Sequence, residues 1–123
     1  MTSVSRMRAT EGEDLETLEE LRREIRGTLS RAKMEIDREI RSYPTPIPRC
    51  DAQFNHLHEQ RARLARELDR IGPPTRERPA RSDCLATIVR FFASAPYTDE
   101  PEERELRSRV KARLLALAER GRA

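Results

Sequence analysis

Two runs of apolar positions at helical spacing flank a proline-rich pivot. Upstream, Leu18, Leu21, Ile25, Leu29, Ala32, Ile36, Ile40 and Tyr43 recur every three or four residues. Downstream, Phe54, Leu57, Leu64, Leu68 and Ile71 follow the same rhythm, with Arg61 in the one polar slot. Between them stands Tyr43-Pro44-Thr45-Pro46-Ile47-Pro48. These prolines cannot continue a helix, and they bias the residues before them toward extended backbone. The pattern predicts an antiparallel helical hairpin, with helices over about 13–42 and 49–71. If the chain reverses at the prolines, facing positions must share a constant sum of residue numbers. Ile40–Phe54, Ile36–Leu57, Ala32–Arg61, Leu29–Leu64, Ile25–Leu68 and Leu21–Ile71 come close to that condition. Arg61 then falls opposite the small Ala32, where its alkyl stem can cover apolar surface while the guanidinium reaches water.

The first stripe also repeats every eleven residues, which favours a nearly straight helix. Thr10 and Glu13 have capping-box spacing, with Asp14 as an alternative start, so residues 1–10 are expected to form a flexible tail. Gly27 lies inside this helix and costs about 1 kcal/mol relative to alanine, unless a second helix crosses closely there. The second helix should begin between Pro48 and Asp51 and stop at Gly72-Pro73-Pro74. Residues 72–81 form a basic, proline-rich loop. Ser82 and Asp83 are placed to cap a helix over 82–95 with Leu85, Ile88, Val89 and Phe92 as its apolar positions, Cys84 and Phe91 to one side. Asp99 is placed to cap a last helix over 99–120 with the stripe Leu106, Val110, Leu114 and Leu117. Acids at its start and bases toward its end suit the helix dipole. The expected fold is all-α: a hairpin plus two shorter C-terminal helices in one helical domain spanning 11–123. The hairpin alone buries too little to stand. The last two helices must fold back on it or complete a bundle with a second copy.

Composition narrows the function more than it reveals it. The chain has 123 residues, 38% of them charged and 4% aromatic, so its core must be thin and aliphatic. Net charge is +3, mildly basic rather than polycationic. Only Lys33 and Lys111 among the 25 basic residues are lysine. That bias fits a GC-rich bacterial coding sequence, or a surface that recognises phosphate or carboxylate through the guanidinium fork. No segment reads as a secretory signal or a membrane span, so a cytoplasmic protein without membrane contact is expected. In that setting Cys50 and Cys84 are expected as free thiols rather than a bridge. They form no CxxC pair of the kind that holds zinc.

Chemistry-bearing residue types are densest over Cys50–Glu59, at the start of the second helix. Asp51, Asn55 and His58 share a helix face near Cys50, making Cys50, Asp51, Asn55 and His58 a candidate metal or small-ligand site. The competing reading is capping plus solvated polar residues. His56 and His58 diverge by about 200° around a helix and cannot hold one ion together. Cys50 and His58 stand too far apart for a nucleophile–base pair. No glycine-rich phosphate cradle or GxSxG elbow is present, so no catalytic residue, metal or cofactor is assigned. Arg63, Arg66 and Arg70 line one helix face and, with Arg76, Arg78 and Arg81, are candidate nucleic-acid contacts. Pairing with the acids of residues 11–24 is the alternative. No aromatic residue interleaves with these arginines, which argues against base stacking. Leu18–Ile25 resembles the opening of all-helical chorismate mutases, but those enzymes continue one long helix where this chain has Pro44, Pro46 and Pro48, and no family is assigned. The expected role is helix-mediated interaction, with a second copy or with a protein partner. An accessory role on nucleic acid through residues 61–81 is the alternative, and a ligand site at the second helix start comes third.

Overall fold

The structure is a computed structural model that describes residues 2–44, 52–72 and 80–122, with side chains over 14–44, 52–72 and 80–120. It contains four helices, α1 (Thr2–Ser42), α2 (Ala52–Ile71), α3 (Arg81–Ala93) and α4 (Pro101–Arg122), and no strand among the described residues. The all-α class and the hairpin follow the apolar stripes. Leu18, Leu21, Ile25, Leu29 and Ile36 of α1 are buried against Leu57, Leu64 and Ile71 of α2. Register is visible at both ends. Arg22 donates to the carbonyl of Ile71, and the rings of Tyr43 and Phe54 lie 5.2 Å apart. Gly72 ends α2 in the left-handed region, with φ 81°, where a residue without Cβ carries no penalty.

The last two helices complete the core within the same chain. Cys84, Ile88 and Phe91 of α3, Leu106 and Val110 of α4, and Tyr97 between them join the buried cluster. Arg81 at the start of α3 pairs with Asp14, and Arg90 near its end lies 3.8 Å from Glu67 of α2. Along α4, Glu102 pairs with Arg31 and Arg109 with Glu24, so α4 runs antiparallel to α1. α1 packs against all three other helices and serves as the spine.

Several boundaries differ from the sequence expectation. α1 starts at Thr2, not near residue 13, so residues 2–10 continue the helix. They contain neither glycine nor proline, and the cost of Gly12, about 1 kcal/mol, is too small to stop propagation. No helix crosses at Gly27; a Cβ there would meet only the flexible end of Arg31, at 3.4 Å. α3 is flanked by Ala80 and Ser94, and neither Ser82 nor Asp83 is its N-cap. α4 begins at Pro101 rather than Asp99: the Glu103 N–H bonds the Glu100 carbonyl, and proline suits the first helical position. The buried face of α3 is Cys84–Ile88–Phe91, whereas Val89 and Phe92 are exposed. Two adjacent stripes on α3 are apolar, so spacing alone does not choose between them. The Phe91 ring stacks parallel to Tyr97, centroids 6.2 Å apart, and this contact rotates the second stripe outward.

Candidate functional site

The segment Ser94–Glu100, joining α3 to α4, divides the surface into two faces of opposite charge. Its shape is imposed by side chains from three elements. The Arg107 guanidinium lies over the Phe91 ring, 4.4 Å from its centroid. It donates to the last carbonyls of α3, at 3.2 Å to Phe91, 3.3 Å to Phe92 and 3.1 Å to Ser94. Ser94 also bonds the Phe91 carbonyl through its N–H and its hydroxyl, so Ser94 and α4 together cap the C-terminus of α3. Arg107 Nε also donates to Glu103, 3.0 Å away. Glu103 is buried and accepts the backbone N–H groups of Tyr97 and Thr98, each at 3.0 Å. From the other side, Arg63 of α2 donates to the Pro96 carbonyl at 3.2 Å and covers the Tyr97 ring at 4.7 Å. Tyr97 donates its hydroxyl proton to Glu67 Oε2 at 2.9 Å. Burial pushes the Tyr97 phenol up; Glu67 adds to the rise, while Ser94 and Arg63 oppose it.

On one side of this segment a groove of about 810 Å³ opens toward the hairpin tip. Its floor includes Ala32 and Ile36 of α1 and Leu57 of α2. Its rim is acidic, with Glu35 and Glu39 from α1 facing Glu100, Glu102 and Glu105 at the start of α4. Arg31 enters the groove but is spent on Glu102. α4 begins opposite Arg31, so among the described residues the hairpin seam beyond that level has no further helix over it. Nearby, Asp37 is flanked by Lys33 and Arg61. Burial would raise its carboxyl pKa, but the hydrogen bond and charge of Lys33, with those of Arg61, outweigh that and hold it below the ordinary value. Arg61 thus reaches Asp37, more than a turn along α1 from the expected Ala32.

On the other side lies a smaller depression of about 350 Å³, lined by Arg63, Arg66, Arg70, Glu67 and Tyr97. Glu67 is 1% exposed, yet its Oε1 accepts no hydrogen bond. Arg70 Nη1 stands 3.7 Å from Oε2 and Arg90 Nε 3.8 Å from Oε1. Arg66 forms no ion pair or hydrogen bond with the described residues.

The candidate residues fare unevenly. Arg63, Arg66 and Arg70 do line one face and meet in this depression. They do not pair with the acids of α1 among the described residues; Arg81 does, through Asp14. Arg76 and Arg78 lie outside the described residues, as do Cys50 and Asp51. Asn55 and His58 are exposed at the start of α2, where His58 meets the Phe54 ring edge-on at 4.5 Å. No group of three His, Cys, Asp or Glu side chains is placed to hold a metal ion among the described residues. Cys84 is a free thiol in the core, pushed up by burial, with the Arg22 charge opposing and Glu19 and Asp83 reinforcing the rise. A protonated, inaccessible thiol is a packing residue. The described helices include none long and apolar enough to cross a membrane. No protein-family model matches this chain, and no curated protein or solved structure matches it either.

Proposed function

We propose that the protein works as a helical interaction module whose hairpin-tip groove receives a positively charged helical segment of a protein partner. The observation that carries this reading is the acidic groove at the hairpin tip. Below Arg31 the α1–α2 stripes are covered by α3 and α4; above it, Ile36 and Leu57, themselves only 7% and 4% exposed, lie beneath a groove whose rim is set with carboxylates. A helical segment placed there would set basic residues against the carboxylate rim. Helix-in-groove recognition uses this geometry. The rim also selects a basic occupant: the chain as a whole is positive, at +3, yet this groove is lined by acids. Charge complementarity of this kind sets partner choice and association rate more than raw affinity.

The test is titration of the protein with an amphipathic peptide carrying leucines on one face and lysines on the other. A peptide with glutamates in place of the lysines is the control. The basic peptide should bind, the acidic one should not, and Glu35→Lys with Glu39→Lys should weaken binding at least about tenfold, since close charge pairs at interfaces are worth about 1.5 kcal/mol or more. Light scattering runs in parallel. A peptide-free mass of twice 14.3 kDa, with the basic peptide failing to bind, would assign the groove to a second copy instead.

A further inference from the structure

The depression on the opposite face answers to different chemistry. Arg63, Arg66 and Arg70 stand on one row of α2, and the only acid lining the depression with them is Glu67. Two positive charges are therefore left over in a concave site of about 350 Å³. The acids that bracket the row on α2, Glu59 and Asp69, form no ion pair with it among the described residues. Arg90 approaches Glu67 from α3 and adds a further guanidinium at the edge.

The site is built rather than incidental. Glu67 is sealed from water beneath the arginines and anchors them: its Oε2 accepts the Tyr97 hydroxyl and faces Arg70, while Oε1 faces Arg90 at 3.8 Å. Arg63 is pinned by the carbonyls of Ala95 and Pro96 and by the Tyr97 ring. Those contacts fix where the Arg63 guanidinium sits before any ligand arrives, which lowers its ordering cost on binding. One group facing the depression is left without a counter-charge, the Arg66 fork. A group that completes it must be anionic.

The geometry points to a phosphate-binding site formed by Arg63, Arg66 and Arg70 around Glu67. The guanidinium forks match phosphate oxygens in bidentate fashion. The phosphate can belong to a nucleic-acid backbone or to a small phosphorylated molecule. Bases are not read in either case, because Arg63 covers the one aromatic ring in the site. This site is independent of the acidic groove.

Two probes separate the sources: inorganic pyrophosphate and a short RNA duplex, both at about 50 mM salt, where backbone contacts are strong. Binding is followed through the arginine Nε–H resonances of the full chain. Saturable shifts with pyrophosphate, and about tenfold weaker binding by Arg66→Ala, are expected; a factor of ten corresponds to one charge-assisted contact. Arg66 has no described partner, so its removal leaves the fold intact, and Arg66→Lys should restore only part of the loss because it keeps the charge without the fork. Duplex binding whose salt slope falls by about one unit in Arg66→Ala assigns the site to nucleic acid. Pyrophosphate binding without duplex binding assigns it to a small phosphorylated ligand. Binding of neither probe, or equal binding by wild type and Arg66→Ala, overturns the proposal. The paired substitutions Glu35→Lys and Glu39→Lys should leave pyrophosphate binding unchanged, so failure of the groove reading and failure of this one are distinguishable.

Discussion

The hairpin is continuous through α1 and α2, yet its two ends are finished differently. Around Leu64 and Leu29 the seam is closed by α3 and α4, and charged side chains are drawn inward: Glu67 and Glu103 are buried, and Arg107 is spent on backbone carbonyls. Around Ile36 and Leu57 the seam has, among the described residues, only its own two helices, and the charged side chains stay at the rim of an open groove, where Arg31 pairs with Glu102 and Arg38 with Glu35. The same kind of residue, an arginine or glutamate at helical spacing, is buried and structural at one end and exposed at the other. What decides is whether a third element passes over it.

Substitutions can break that contrast, and the largest effect is expected at the closed end. Arg107→Ala removes the contribution of α4 to the cap of α3 and leaves Glu103 buried without its cation, which should cost about 3–5 kcal/mol in chemical denaturation. Arg107→Lys should recover little of it, because one ammonium cannot serve three carbonyls and a carboxylate together. If Arg107→Ala costs less than about 1 kcal/mol, the turn is not held as described.

The core offers a direct comparison. Leu64 and Leu57 occupy equivalent places on one stripe, two turns apart. Leu64→Ala should cost about 2–5 kcal/mol, as for a fully enclosed leucine. Leu57→Ala should fall at or below the lower end of that range, because its cavity opens to the groove and water can fill it. Equal losses at both positions would mean that the tip is as closed as the rest.

Tyr97→Phe is the gentlest probe. It leaves packing intact but strips Glu67 of its hydroxyl donor, which should cost about 1–3 kcal/mol near neutral pH. The Tyr97 phenol is raised in the folded state, so the stability linked to it is complete below the unfolded value, about pH 10, and is lost as pH rises through the folded value. Alkaline unfolding curves of the phenylalanine variant should therefore lack that part of the decline.

How much of this could be read in advance divides along the same line. The hairpin and the terminator at Gly72 follow from apolar spacing and proline chemistry, which are local and periodic, whereas near the tip Arg61 meets Asp37 rather than Ala32 and Phe54 meets Tyr43. The phase of α3 does not, because Leu85–Val89–Phe92 and Cys84–Ile88–Phe91 are equally apolar and only its packing partners, α1, Tyr97 and Arg107, choose between them. Glu67, Glu103 and Arg107 were invisible for a related reason. In a chain with 38% charged residues, a charge at helical spacing carries no mark of burial. The one clue was Glu67 sitting between Leu64 and Leu68 on a stripe that should be apolar. The row Arg63–Arg66–Arg70 was legible as a row, but its concavity depends on Tyr97, thirty residues beyond Glu67 in the chain. The groove could not be foreseen, since it is defined by where α4 begins, and Pro101 rather than Asp99 sets that point.

The length of the spine has a hydrodynamic consequence. At 1.5 Å per residue the 41 residues of α1 run about 61 Å, while α2, with 20, covers about half of that. A compact chain of this size has a radius of gyration of about 14 Å. The molecule must therefore drag more solvent and tumble more anisotropically than its 14.3 kDa mass suggests. A single copy will migrate through a sieving matrix like a heavier globule, and nuclear relaxation along α1 will report a longer correlation time for motion across the rod than about it.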